Sequence, residues 1–263
     1  GVEVPEGTTS LKPYSLFMDV YAAFCRFHMK RFGTTSRQIA AIAAKNHTHS
    51  VHNEKSQYRV PYTIKEIMSA PPITYPLTLP MCAPISDGGS AAILCSESGL
   101  KRLGIDVNRA IEVKATIIQT GSNRDVEAVE KHVTALAAKR AYEYAGVGPE
   151  DMNVAEVHDA TAMGELIQSE NLGLVAFGEG GAAAECGDTS LGGRIPINPS
   201  GGLESKGHPI GATGLAQVYE LVAQLRGEAG KRQVEGARFA IAENGGGLYG
   251  IEEAVASVII LGK

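Results

Sequence analysis

Two histidines occupy positions from which acid–base chemistry can be built. His208 lies in a glycine-rich run, Asn198-Pro-Ser-Gly-Gly-Leu-Glu-Ser-Lys-Gly-His-Pro-Ile-Gly-Ala-Thr-Gly214, that leads into an apolar-periodic stretch. Gly201, Gly202 and Gly207 permit close backbone approach to a ligand, and Gly211 and Gly214 allow a helix start to pack tightly. An imidazole fixed by Pro209 beside a helix N-terminus, which disfavours its charged form, can donate to an oxyanion or take a proton. The same loop could instead be a phosphate-type turn whose histidine only caps the helix. His158 closes the run Val154–His158 and precedes Asp159, at a strand end where α/β sheets place reactive groups; alone, it also fits a hydrogen-bonded structural histidine. A third segment, Glu243-Asn244-Gly245-Gly246-Gly247-Leu248-Tyr249-Gly250, puts a polar pair before glycines that a ligand could approach, or simply forms a hairpin. Three polar, glycine-associated strand ends in one unit carry more weight together than any one of them.

The elements that must position these residues are legible from residue 110 onward. Hydrophobic periodicity predicts a strand at Glu112–Gln119, a helix at about Val126–Ala145, a strand at Val154–His158 and a helix at Ala162–Leu172. It continues with a short strand near Ile195–Asn198 and a helix at Gly211–Arg226 with Leu215, Val218, Val222 and Leu225 on its apolar side. Two closing strands follow, Ala237–Glu243 and Glu253–Leu261. Strands alternating with helices predict a three-layer α-β-α unit over residues 110–263, with a five-stranded mixed sheet covered on both faces.

Residues 1–109 read differently. Phe17, Val20, Tyr21, Phe24 and Phe27 mark an amphipathic helix ending near Gly33, and Thr35 with Gln38 forms a capping box for a second helix whose inward face is Ile39, Ile42 and Ala43. From Pro61 to Pro84 prolines interrupt every periodicity, which predicts an extended surface course rather than a core. Ala91–Cys95 reads as a short buried strand. One strand and two helices cannot close a sheet, so this half is expected to be completed by a missing segment or a partner chain.

Composition narrows the function classes. The 263 residues carry a net charge of −5, 44% hydrophobic residues, 31 glycines and no tryptophan, as expected of a soluble α/β protein. No block of like charge suggests nucleic acid, and no apolar run suggests a membrane span or a leader, so a cytoplasmic location is expected. The four cysteines, Cys25, Cys82, Cys95 and Cys186, have no metal-ligand spacing. His47, His49 and His52 cluster without a supporting carboxylate or thiol, so no metal site is expected. Arg26, Lys30, Arg31, Lys45 and Arg59 could meet phosphates or form a solvated basic face.

With these residues in place a resemblance becomes specific. GHPIGATG is similar to the histidine loop of thiolases, and VHDAT resembles the His-Asp motif of the branch related to sterol carrier protein thiolases, which is acetyl-CoA acetyltransferase-like. ENGGG sits where thiolases carry a cysteine-containing glycine turn, and Ser86–Glu97 resembles the strand that ends the thiolase N-terminal domain. The resemblance implies a thiolase fold of stacked α/β halves. Residues 1–109 would be the cover region and the end of an incomplete N-terminal domain, and residues 110–263 the C-terminal domain.

It further implies coenzyme A thioesters as substrates with no tightly bound cofactor, and a homodimer or higher oligomer. The partner could be a small OB-fold protein or a separate N-terminal thiolase chain. By the same resemblance His208 matches the histidine that activates the nucleophilic cysteine, and His158 matches the group at the second oxyanion hole. Glycines 201, 202, 207, 245 and 246 would line the bound thioester. The pattern departs where cysteines are expected: the nucleophile's segment is absent, the glycine turn holds Glu243 and Asn244, and Ala160 follows His-Asp. Three readings stay open. One is acyl transfer in which the missing segment supplies the nucleophile and Glu243, His158 or a water moves the proton; another is a thiolase-like retro-aldolase using Tyr249; the last is a non-catalytic subunit.

Overall fold

The computed structural model describes residues 2–263. Its first helix, α1 (Leu16–Phe32), buries Tyr21, Ala22, Cys25 and His28 and ends at Gly33 in the left-handed conformation. Of the aromatic residues whose spacing predicts the inward face, Tyr21 is buried and Phe24 packs against the core, while Phe17 is exposed. In α2 (Ser36–Ser50) the capping box of Thr35 and Gln38 is present, and Ile39, Ile42 and Ala43 are buried as expected. The proline-rich stretch departs from expectation. A second capping box, Thr63 with Glu66, starts α3 (Ile64–Ser69), and a small hairpin follows, β1 (Pro72–Thr74) with β2 (Leu77–Thr78). Ile67, Leu77 and Met81 from this stretch are fully buried in one core with α1 and α2, because prolines at element ends punctuate short elements without preventing burial.

Residues 91–95 form no strand. They run irregularly before α4 (Glu97–Leu103), with Ile93 and Leu94 exposed, because no neighbouring strand is present among the described residues to pair with them.

The second unit is built on β3 (Glu112–Thr120), α5 (Val133–Ala145), β4 (Val154–Glu156), α6 (Ala162–Asn171), α7 (Gly180–Cys186), α8 (Gly202–Lys206), α9 (Thr213–Arg226), β5 (Phe239–Gly246) and β6 (Val255–Gly262). The sheet order is β3-β6-β5-β4, antiparallel except for the parallel pair β4 and β5. The sheet is mixed, as expected, but has four strands; the fifth, near residue 197, is reduced to a single bridge from Ile197 to Ala155. Pro196 and Pro199 flank that bridge and cannot donate to a longer ladder.

Side chains alternate across the sheet. Ile241, Val258 and Ile260 pack against Ala137, Ala138 and Ala141 of α5, while Ala240, Ala242 and Leu261 pack against Leu221 and Leu225 of α9. This is the expected three-layer unit. Two helices differ in detail: α5 starts at Val133 after a 3-10 turn, and α9 buries Gln217, Glu220 and Gln224 while Leu215 lies outside. The N-terminal layer is seated on α6 and α7, since Ala162, Met163, Leu166 and Ala184 share the core of α1 and α2. Among the described residues no helix is long and apolar enough to cross a membrane.

Candidate active site

The tip of β4 and the loop before α9 are joined through Asn198. Its backbone N–H donates to Ala155 O (2.8 Å) and its side-chain oxygen accepts from Val157 N (2.8 Å), while its own φ of 53° turns the chain into the loop. The loop carries Gly201, Gly202 and Gly207 at φ of 102°, 62° and 114°, a course closed to side-chain-bearing residues without strain. Its far end is fixed by Ser86, whose hydroxyl accepts the His208 N–H at 3.1 Å. The two histidine rings thereby meet edge to face, with centroids 5.0 Å apart and planes at 75°. Gly211 and Gly214 play no packing part, because a side chain at either would meet open space or lie at ordinary contact distance from Asn244.

Both imidazoles are held neutral. Burial, then the neighbouring His208, pushes His158 down from 6.5 to about 4, against a smaller opposing pull from Glu253. Burial, then Lys206, lowers His208. His208 Nδ1 lies 2.7 Å from the Thr213 hydroxyl, which in turn reaches Pro209 O at 3.1 Å. With the hydroxyl proton given to Pro209, Nδ1 is assigned as the donor and Nε2 is left as the basic nitrogen. His158 Nδ1 is buried with no hydrogen-bond partner among the described residues. A buried nitrogen left without a partner carries a desolvation cost that a bound group would relieve.

Neighbouring strand positions separate the polar pair. Glu243 points to the α5 face, where its carboxyl accepts from His158 N (3.1 Å) and from the Thr134 hydroxyl (3.4 Å). Burial, then Glu253, raises its pKa well above the ordinary range, so it stands as a neutral acid beneath His158. Asn244 points the other way and donates to Gln217 of α9 at 3.0 Å. The two therefore cannot line one face of a site together. Tyr249 sits at the hairpin end, 48% exposed; its backbone pairs with Glu252, and its hydroxyl makes no hydrogen bond among the described residues. Gly245 is needed for space, since a Cβ there would lie 2.7 Å from Glu253 Cγ, whereas Gly246 faces open space.

Several partnerships at the site escape pattern reading because the partners are distant in sequence. Asp159, Asn46, Glu165 and Glu204 form one buried network, with Asn46 Nδ2 at 3.2, 2.8 and 3.1 Å from the three carboxyls. Lys45 neutralises Glu165 at 2.5 Å and donates to Ile197 O, so it is no phosphate ligand. On the other side Glu253 accepts a hydrogen bond near His158 from Gln168 at 2.9 Å, and its other oxygen lies 3.2 Å from His132 Nε2. His132 lowers the Glu253 pKa against burial. Tyr21 of α1 is kept protonated by burial, then Glu253, Glu243 and Asp159. The only advance signal was the run of polar residues Lys45 to Ser50 on a helix whose earlier turns are apolar. Within that run both ring nitrogens of His49 are engaged, by Asn198 O and Leu191 N, whereas His47 reaches Pro80 O through Nε2 and leaves its buried Nδ1 without a partner among the described residues.

A cavity of about 550 Å³ opens beside the loop, bounded by Ser86, Gly88, Lys206, Gly207, Pro209 and Tyr219 among others.

Residues 116–263 match the thiolase C-terminal domain-like family. The chain belongs to this family. It is 41% identical to an acetyl-CoA acetyltransferase of Methanothermobacter thermautotrophicus, over 89% of this chain and 61% of that protein. It is 47% identical to sterol carrier protein 2 of Oryctolagus cuniculus, over 82% of this chain and 41% of that protein. The chain thus spans less than two thirds of the length of either relative. In fold it is similar to the Ltp2-ChsH2(DUF35) aldolase, with a TM-score of 0.73 at 21% identity, covering 93% of this chain and 63% of that one.

In this thiolase-family chain the cysteines are poorly placed for nucleophilic work. Cys25 and Cys82 are held as thiols; burial, then Glu204, pushes Cys82 up to about 12, and burial drives Cys25 upward too. Cys95 lies on the exposed 91–95 segment and Cys186 ends α7.

Proposed function

We propose that His158 and His208 are the thioester-activating pair of a thiolase-like enzyme that acts on acyl-CoA thioesters. The reaction makes or breaks the bond between the α- and β-carbons of the acyl chain. The observation that carries this reading is two neutral, desolvated imidazoles in edge-to-face contact at 5.0 Å, one with a bare buried nitrogen. A neutral imidazole N–H in a low-dielectric site stabilises an enolate or tetrahedral oxyanion without carrying charge beforehand. His208, its Nδ1 anchored on Thr213, offers Nε2 as a base. The cavity bounded by Ser86, Lys206, Gly207 and Pro209, residues on either side of His208 in the loop, is the space assigned to the coenzyme A arm in this reading.

Acyl transfer also requires a thiolate opposite His208, which none of these four cysteines provides. A second reading is retro-aldol cleavage of a β-hydroxyacyl-CoA, in which a tyrosine moves the proton and no thiolate is needed. An oligomer, with an OB-fold partner in the aldol case, accompanies either reading. Enolate formation is common to both, so the test is α-proton exchange of acetyl-CoA in D2O followed by mass spectrometry. Exchange is expected, and His208→Ala should slow it on the order of 100-fold or more. An unchanged rate in that variant, or no exchange in the unaltered protein, would overturn the reading. Acylation of a cysteine then separates acyl transfer from aldol cleavage.

A further inference from the structure

The spacing of the two histidines is set by a side chain that belongs to neither. Asp159, fully buried, follows His158 in sequence and reaches across to α8, the turn that precedes His208. Its Oδ1 accepts from Leu203 N at 2.7 Å, and its Oδ2 lies 3.4 Å from Glu204 N and 3.2 Å from Asn46 Nδ2. This approach is possible only because residue 202 is glycine: a Cβ there would sit 2.0 Å from Asp159 Oδ2. From the other side α6 clamps the same backbone, since a Cβ on Gly164 would lie 2.7 Å from His158 O and 3.2 Å from Asp159 Cα. The loop between α8 and His208 is short, Gly207 alone, and Gly207 N bonds back to Leu203 O. A displacement of α8 therefore moves His208 directly.

We infer that Asp159 is a positioning residue that fixes His208 against His158 by gripping the first N–H groups of α8 through the gap left by Gly202. Resting on the reading that these histidines are the reactive pair, the inference adds the residue that decides whether they meet. A side chain serving only to fill the core would not need an acceptor at this point. Asparagine keeps the shape of aspartate and an oxygen for Leu203 N; alanine keeps neither. Gly202→Ala leaves Asp159 in place but forces the two apart.

The test compares the unaltered protein with Asp159→Asn, Asp159→Ala and Gly202→Ala. Ring contact is read as nuclear Overhauser cross-peaks between the two imidazoles in histidine-labelled protein, and chemistry as the α-proton exchange rate at several acetyl-CoA concentrations. In Asp159→Ala and Gly202→Ala the cross-peaks should vanish. Exchange should fall on the order of 100-fold in kcat with KM changed by less than about threefold. Asp159→Asn should retain the cross-peaks and most of the rate. Should Asp159→Ala not fold, Gly202→Ala decides alone. Ring contact preserved in a folded alanine variant, or lost in Asp159→Asn as fully as in Asp159→Ala, overturns the inference. Cross-peaks that follow this pattern in a protein showing no exchange would remove the proposed activity and leave the positioning role standing.

Discussion

A histidine's usefulness in a site depends on the proton it holds at working pH. His158 titrates at about 4 because burial removes water from its charged form and His208 adds a like charge, and His208 is lowered by burial and Lys206. Both take up a proton only below the ordinary imidazole value of 6.5, so the exchange rate should be level from pH 7 to pH 8 and fall only as pH drops below 6.5. A pH profile of kcat/KM measures this. A midpoint at or above 6.5 would mean that the rate-bearing imidazole is solvated and is not one of this pair. His158 and His208 were visible in the sequence because each stands at the border between an apolar run and glycine or aspartate. Glu253 was not visible: nothing local distinguishes it from its neighbour Glu252, which serves instead to anchor Arg124 at 2.6 Å.

Helix α2 shows how one element supports the site from behind. Its apolar first turns lie in the core with α1 and α3, and its last turns supply Lys45, Asn46 and His49 to the network beneath the loop. The capping box of Thr35 and Gln38 satisfies N–H groups that begin the helix, and its alanine replacement at Thr35 should cost about 1 kcal/mol. That loss, read from urea unfolding, should leave the exchange rate of the folded protein nearly unchanged, because the cap is at the opposite end from Asn46. A large drop in rate at unchanged stability would show that α2 is more than a rigid support. The box was legible from two residue types three positions apart. The tasks of Lys45 and Asn46 were not, since their partners are more than 110 residues away.

Across the whole molecule the buried ionisable groups pull stability in opposite directions with pH. His49 and His158, lowered to about 3 and about 4, bind protons more readily when unfolded, so their contribution to stability is lost as pH falls from 6.5 through those values. Asp159, Glu204 and Glu243 are raised, chiefly by burial, and bind protons more readily when folded. Their contribution is full below their ordinary values and is lost as pH rises. Glu204→Gln keeps the size of the side chain and removes the charge, so the stability of this variant relative to the unaltered protein should grow from pH 5 to pH 8. Thermal midpoints of the two proteins at several pH values measure the trend. A difference independent of pH would mean that Glu204 does not titrate within the folded network.

Residue order alone determined the alternation of strands and helices from residue 112, the two helix caps near residues 33 and 35, and the glycine loop that carries His208. Each depends on neighbours within about four positions, which is the range over which periodicity and capping act. Tertiary structure decided the rest. It turned Glu243 and Asn244 to opposite faces, drew the proline-rich stretch into the core, left residues 91–95 without a strand partner, and reduced the strand at 197 to a bridge. It also joined Asp159 to α8 across a missing Cβ. These outcomes depend on which distant surfaces meet and how closely, and the space between two backbones is a property of the packed molecule rather than of either segment.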